Sequence, residues 1–144
     1  MLENCMCVDN KKGIQYTFTK VEFDSCTFEK NSDYAVCGTY YGELKFEKCI
    51  ITKNGRGIQD GGYDGCIEGH NCIICDNRRY DVCNNSSIPG DFSENWWGKQ
   101  MTTVLKKTGG TKMPKALGSV KLFNFLTEPP EDCGAKDCPS LNIK

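Results

Sequence analysis

The sequence predicts an all-β fold, a parallel β-solenoid (β-helix) of about 23 residues per coil, on three observations. First, Val21 to Asn31, Leu44 to Asn54 and Ile67 to Asn77 align at one constant offset. Cys26, Cys49 and Cys72 then coincide, as do Phe28, Ile51 and Ile74, and Asn31, Asn54 and Asn77 close each unit. Second, apolar residues alternate within a unit, Val21 with Phe23 and Cys26 with Phe28, the period of strands with one buried face. Third, a further copy lies upstream, where Cys5 precedes Cys26, and Asn10 precedes Asn31, by nearly the same step. No heptad spacing competes with this pattern.

Taken in order, residues 1–98 read as about four coils. The last is expected to be short, because Asn95 follows Asn77 by less than a full repeat. Tyr34 and Val36, matched by Tyr80 and Val82, add a third short strand to the unit. One unit cannot bury its own apolar face, so coils stack, with equivalent residues about 4.8 Å apart. Phe28, Ile51 and Ile74 are then an internal stack, and Cys5, Cys26, Cys49 and Cys72 an internal thiol stack. Asn10, Asn31, Asn54 and Asn77 form a ladder at a corner, where Asn tolerates left-handed backbone and bonds the next coil's amide. Residues 99–115, with Lys106-Lys107-Thr108-Gly109-Gly110-Thr111-Lys112, read as a mobile basic loop, and 116–144 as a closing strand with a polar tail.

Eleven of the 144 residues are cysteine, an odd number, so they cannot all pair within one chain. Side chains in a ladder run parallel, so its thiols are expected to be reduced. Cys37 and Cys83 lie two coils apart, about 9.6 Å, too far for a bond. Cys133 and Cys138 are the best local disulfide pair. A net charge of −1 argues against nucleic acid or an anionic membrane as a bulk electrostatic partner. Mean hydropathy is −0.52 and no apolar run nears the length of a membrane span. Met1 to Cys5 carries neither the basic nor the apolar region of a signal peptide.

Three further stretches carry a family resemblance. Asn54-Gly55-Arg56-Gly57-Ile58 ends a coil, and Phe92-Ser93-Glu94-Asn95-Trp96-Trp97-Gly98 is followed by Gly118 to Pro130 with its Leu126-Thr127-Glu128-Pro129-Pro130 end. Over roughly residues 1–130 the chain resembles the right-handed parallel β-helix proteins, the pectin-lyase-like superfamily. The resemblance implies a right-handed solenoid, closure by the Trp-Trp segment, and an extracellular or cell-surface location. It does not imply an activity, because that fold hosts lyases, hydrolases, adhesins and phage spikes. Asn4-Cys5-Met6-Cys7 already reads as mid-coil. The amino-terminal edge is therefore expected to stack on further coils of a longer parent or on a copy of itself.

Sites are sparse. Lyases of this fold need acidic calcium ligands and a basic residue on one exposed sheet. The exposed column Glu22, Lys45, Glu68 is mixed in sign and lacks an acidic cluster, so no cofactor is expected, calcium being the one that the resemblance leaves open. Asp60, Asp64 and Asp81 with Arg79 could meet at a corner. Cys66, His70, Cys72 and Cys75 have the residue types of a zinc site but lack its second ligand pair, and the repeat turns Cys72 inward and Cys75 outward. Tyr40 and Tyr63, one repeat apart, form with Tyr41 an aromatic row suited to a sugar ring, and Trp96 or Trp97 could serve likewise. Asn84-Asn85-Ser86-Ser87 contains glycosylation sequons.

These features favour a non-catalytic extracellular module: a structural spacer, an adhesin, or an element that binds polysaccharide or a cell-surface ligand. The alternatives are the terminal part of a polysaccharide lyase or glycoside hydrolase, and a component of a phage-type spike.

Overall fold

The computed structural model describes residues 1–17, 19–39, 41–60, 62 and 64–135. It is a parallel β-solenoid. After β1 (Leu2–Glu3), the first coil holds β2 (Met6–Val8), β3 (Lys12–Thr17) and β4 (Lys20–Asp24). The second holds β5 (Thr27–Glu29), β6 (Tyr34–Thr39) and β7 (Glu43–Glu47), and the third β8 (Ile50–Thr52), β9 (Arg56–Gln59) and β10 (Cys66–His70). The fourth holds β11 (Ile73–Cys75), β12 (Val82–Asn84) and β13 (Gly90–Asp91). A helix, α1 (Gly98–Thr108), precedes β14 (Ala116–Gly118) and β15 (Val120–Lys121), which begin a fifth coil. The strands stack as three parallel sheets, β1-β4-β7-β10-β13-β15, β11-β8-β5-β2 and β14-β12-β9-β6-β3.

The register repeats at the offset the sequence predicts: Phe28 pairs with Ile51, Ile51 with Ile74, and Val21 with Leu44. The inward columns make the core. Phe28, Ile51 and Ile74 are fully buried, as are Cys26, Cys49 and Cys72. Phe23 and Phe46 stack with centroids 5.0 Å apart, and Phe28 meets Phe23 edge-on at 5.3 Å. Gly69 follows in that column, and the space it leaves is filled by Phe92, whose Cε1 would lie 2.9 Å from a Cβ at position 69.

The fourth coil is not shortened. Asn95 stands a full repeat after Cys72, in the thiol column and not in the asparagine column: its Oδ1 accepts the Cys72 N–H at 2.9 Å. Its Nδ2 donates to the carbonyls of Gly69 and Phe92 at 2.7 and 2.9 Å. Trp97 likewise continues Phe28, Ile51 and Ile74, fully buried, while half-buried Trp96 bridges to Ile73 on the outward side. Adjacent residues of an extended chain point to opposite faces, which divides the two tryptophans. Cys5, at the solenoid's edge, is exposed, whereas the other members of its column are interior reduced thiols.

The asparagine ladder forms. Asn10 N–H donates to Asn31 Oδ1 at 3.2 Å. Asn31 gives both its backbone N–H and its Nδ2 to Asn54 Oδ1 at 3.0 and 2.9 Å, and Asn54 does the same to Asn77. The second Nδ2 protons of Asn31, Asn54 and Asn77 reach the carbonyls of Cys7, Phe28 and Ile51. The left-handed residue of the corner is the one before each asparagine, Asp9, Lys30, Lys53 and Asp76, with φ between 57 and 60°. This frees the asparagine to align its own N–H with the ladder.

The segment expected to be a mobile basic loop is largely helical. Met101, Val104 and Leu105 give α1 an apolar stripe, and Leu105 is fully buried against the end of the core. The stripe, not the lysines between its members, decides the conformation. Left-handed Gly109 (φ 69°) ends the helix, its N–H bonded to Leu105 O. The helix explains Cys75, expected to face outward: α1 packs against β11 and buries that thiol. The expected closing strand is instead two short strands. From Leu126 the chain turns back along the solenoid, as Leu126 N–H bonds Asn95 O, Cys133 Sγ bonds Asn71 O and Gly134 N–H bonds Lys48 O. Ala135 N–H then bonds Thr27 Oγ1. Residues 126–135 thus strap the coils from outside.

Candidate functional site

The outer face of the six-stranded sheet carries the densest array of chemistry. Its strands are in register, so outward residues form straight columns. Lys20, Glu43 and Cys66 are neighbours in one. Glu22, Lys45, Glu68, Asp91 and Lys121 form the second, and Asp24, Glu47 and His70 the third. Neighbouring coils set these groups about 4.8 Å apart at the backbone. The single column Glu22, Lys45, Glu68 understates how acidic the face is. Six carboxylates share it with three lysines and a histidine. Asp91 escapes notice only if the fourth coil is read as short, since it follows Glu68 by the same full repeat.

The face is tied together by polar contacts. Lys45 Nζ lies 3.0 Å from Glu68 Oε1, and Lys20 Nζ lies 3.5 Å from Glu22 Oε1. The bond to Glu68, its charge and those of Glu22 and Glu43 raise the Lys45 ammonium above its ordinary value. Glu47 Oε1 accepts Asn71 Nδ2 at 2.8 Å. His70 Nδ1 sits 2.9 Å from Ser93 O, a contact in which the ring nitrogen is the donor. Partial burial pushes the Asp91 carboxyl up, but its bonds from Ser93 and the charges of His70 and Lys121 outweigh that and hold it below the usual range. Two open grooves flank the Lys45–Glu68 pair. One, of about 140 Å3, is lined by Glu22, Asp24, Glu47 and His70; the other, of about 310 Å3, by Glu43, Cys66, Pro89 and Asp91.

The other candidates separate. Cys66 and His70 lie on this outer face, Cys72 is interior, and Cys75 lies under α1 in a different sheet. Among the described residues no group of three or more His, Cys, Asp or Glu is arranged to hold a metal ion. Asp60 and Asp81 are buried while Asp64 and Arg79 are exposed, so the corner cluster does not assemble as a site. Asp60 Oδ1 instead takes the Asn85 N–H at 2.5 Å, and Asp81 takes Asn77. Tyr41 is exposed; Tyr40 and Tyr63, the rest of the aromatic row, lie outside the described residues, as does Cys138. Of the two sequon asparagines, Asn85 is exposed, whereas Asn84 is buried with Nδ2 donated to Ile88 O and Ser119 O.

Compared with known proteins, the chain matches no family model, no curated protein and no solved structure.

Proposed function

We propose that the chain is a non-catalytic extracellular module, a rigid right-handed β-helix that binds a polysaccharide or cell-surface ligand along the outer face of its six-stranded sheet. One observation carries this reading: the Lys45–Glu68 pair stands between two grooves on a flat, in-register array of hydrogen-bonding groups. Donors and acceptors repeating at coil spacing suit the repeated hydroxyls of a glycan, and a core of stacked columns holds them rigid. Most of the carboxylates are bonded to neighbouring residues, which favours recognition over turnover. A glycan array followed by calorimetry tests it. Binding without turnover should weaken on Lys45→Ala/Glu68→Ala with the thermal transition unchanged, and binding insensitive to that pair sinks the reading.

A second reading, the terminal part of a polysaccharide lyase or glycoside hydrolase, draws on the carboxylates of the same sheet. Glu22 and Glu68 stand two coils apart, about 9.6 Å at the backbone, with Lys45 between them. Product release from uronate or neutral polysaccharides, lost on Glu68→Gln, would favour it. Stacking on further coils at the amino-terminal edge fits either reading, since a pocket of about 200 Å3 opens there among Leu2, Cys7, Ile14 and Phe28.

A further inference from the structure

Charge is segregated along the solenoid axis. Residues 1–94 hold ten Lys and Arg against fifteen Asp and Glu, whereas residues 95–127 hold six lysines and no carboxylate. The second stretch builds the carboxy-terminal end of the solenoid: Trp97, α1, and the edge strands β14 and β15. α1 buries Leu105 and leaves Lys99, Lys106 and Lys107 exposed, and Lys112 is exposed just beyond it. None of these four takes part in an ion pair among the described residues. The carboxylates that follow, Glu128, Glu131 and Asp132, belong to the strap. Asp132 already lines a cleft with Glu3, Ser25 and Lys48 at the opposite end of the molecule.

The same end exposes large apolar side chains. Leu117 on β14 is 43% exposed and Phe123, just after β15, is 49% exposed. Lys112 and Leu117 border one cleft of about 360 Å3, floored by Met113, Val120 and Leu122. A soluble polyanion would be held by ammonium groups alone. Lysines set beside exposed leucine and phenylalanine match the interface of an anionic bilayer, where headgroups take the charge and apolar side chains enter the acyl boundary.

We propose that the carboxy-terminal end of the solenoid is a peripheral membrane-binding surface. It docks end-on against a bilayer containing anionic lipid, through Lys99, Lys106, Lys107 and Lys112 with Leu117 and Phe123 inserted. This surface is distinct from the sheet face and does not depend on the function proposed for it.

Co-sedimentation of the full chain with vesicles tests the proposal. Vesicles of phosphatidylcholine with about 30% phosphatidylglycerol should bind the chain, and phosphatidylcholine alone should not. Lys106→Glu/Lys107→Glu should lower partitioning about tenfold or more, and Leu117→Ser/Phe123→Ser about fivefold. All four positions are exposed, so both variants should keep the wild-type thermal transition. Lys99→Gln/Lys112→Gln, which leaves the last turn of α1 untouched, gives an independent charge-loss reading if the reversal disturbs the helix. Absence of binding to anionic vesicles, or equal binding to neutral ones, overturns the proposal. So does binding unchanged by Leu117→Ser/Phe123→Ser together with equal retention on heparin, which would make the end a surface for soluble polyanions.

Discussion

Asp81 ends the asparagine ladder: its Oδ1 accepts the Asn77 N–H at 3.3 Å and Asn77 Nδ2 at 2.9 Å. The carboxylate takes the place that a further asparagine would fill, inside the same corner. Lys115 Nζ closes the corner by donating to the carbonyls of Asn77 and Arg78. Burial pushes the Asp81 carboxyl up to about 7, against the smaller lowering effects of Asn77 and Lys115.

A pH dependence of unusual sign follows. The folded chain holds this proton to about pH 7, whereas the unfolded chain releases it near 3.8. Between those values the native state binds more protons, so stability falls as pH rises through the window and levels off above it, by up to about 4 kcal/mol. Asp60, also raised chiefly by burial, adds in the same direction. Denaturant titrations at pH 4.5, 6 and 7.5 should show the decline. Asp81→Asn keeps the acceptor without the charge and should flatten most of it; an unchanged slope would refute the assignment.

The ladder is expected to dominate the corner energetically. Asn54→Ala removes the acceptor for two donors of Asn31, takes the Nδ2 donor from Phe28 O, and leaves Asn77 Oδ1 with only the backbone N–H of residue 54. Unsatisfied buried groups cost about 1–3 kcal/mol each, so the variant should lose at least about 3 kcal/mol in a denaturant titration. Asn10→Ala, at the open edge, keeps the backbone N–H that donates to Asn31 Oδ1 and loses only the Nδ2 bond to Cys7 Sγ, so it should lose under about 1.5 kcal/mol.

Tyr16 lies across Gly38: a Cβ there would stand 2.0 Å from Tyr16 Cζ. Gly38→Ala should cost about 2–3 kcal/mol by overpacking. In Tyr16→Ala/Gly38→Ala the clash is gone, and a double-mutant cycle should return a coupling of about 1 kcal/mol or more. Additive losses would place the ring elsewhere.

Leu105 fixes the helical end cap. Leu105→Ala should cost about 2–5 kcal/mol, while Lys106→Ala beside it should change stability by under about 0.5 kcal/mol. Hydrogen exchange offers an independent check, since the amides of residues 102–108 should be protected in the wild type and exposed in Leu105→Ala.

The strap depends on Gly134, at φ 84°, where a Cβ would lie 2.6 Å from Ile50 Cδ1 and 2.7 Å from Thr27 Oγ1. Gly134→Ala should release it, seen as faster proteolysis within residues 127–135 while the coils stay intact. Unchanged proteolysis would mean that the strap is held by its other bonds.

The repeat is legible in the chain alone. A constant offset with period-two alternation admits only stacked parallel strands, because each unit must bury its apolar face on the next. The same offset places Cys26, Cys49 and Cys72 inside and draws the asparagine ladder, since identical side chains at one column must meet their own kind. What lies off the repeat is settled by packing. Asn95 follows both Asn77 and Cys72, and only the packing of Phe92 and Trp97 in the inner columns shows which register holds. The Met101, Val104 and Leu105 stripe becomes a helix because the last coil offers an uncovered core for it to close. The acidic face is legible only once three columns lie side by side, since its members are scattered from Lys20 to Lys121. A net charge of −1 sums over the whole chain, whereas the stretch 95–127, which builds one end of the solenoid, holds six lysines and no carboxylate of its own. A sum carries no position, and position is what a partner meets.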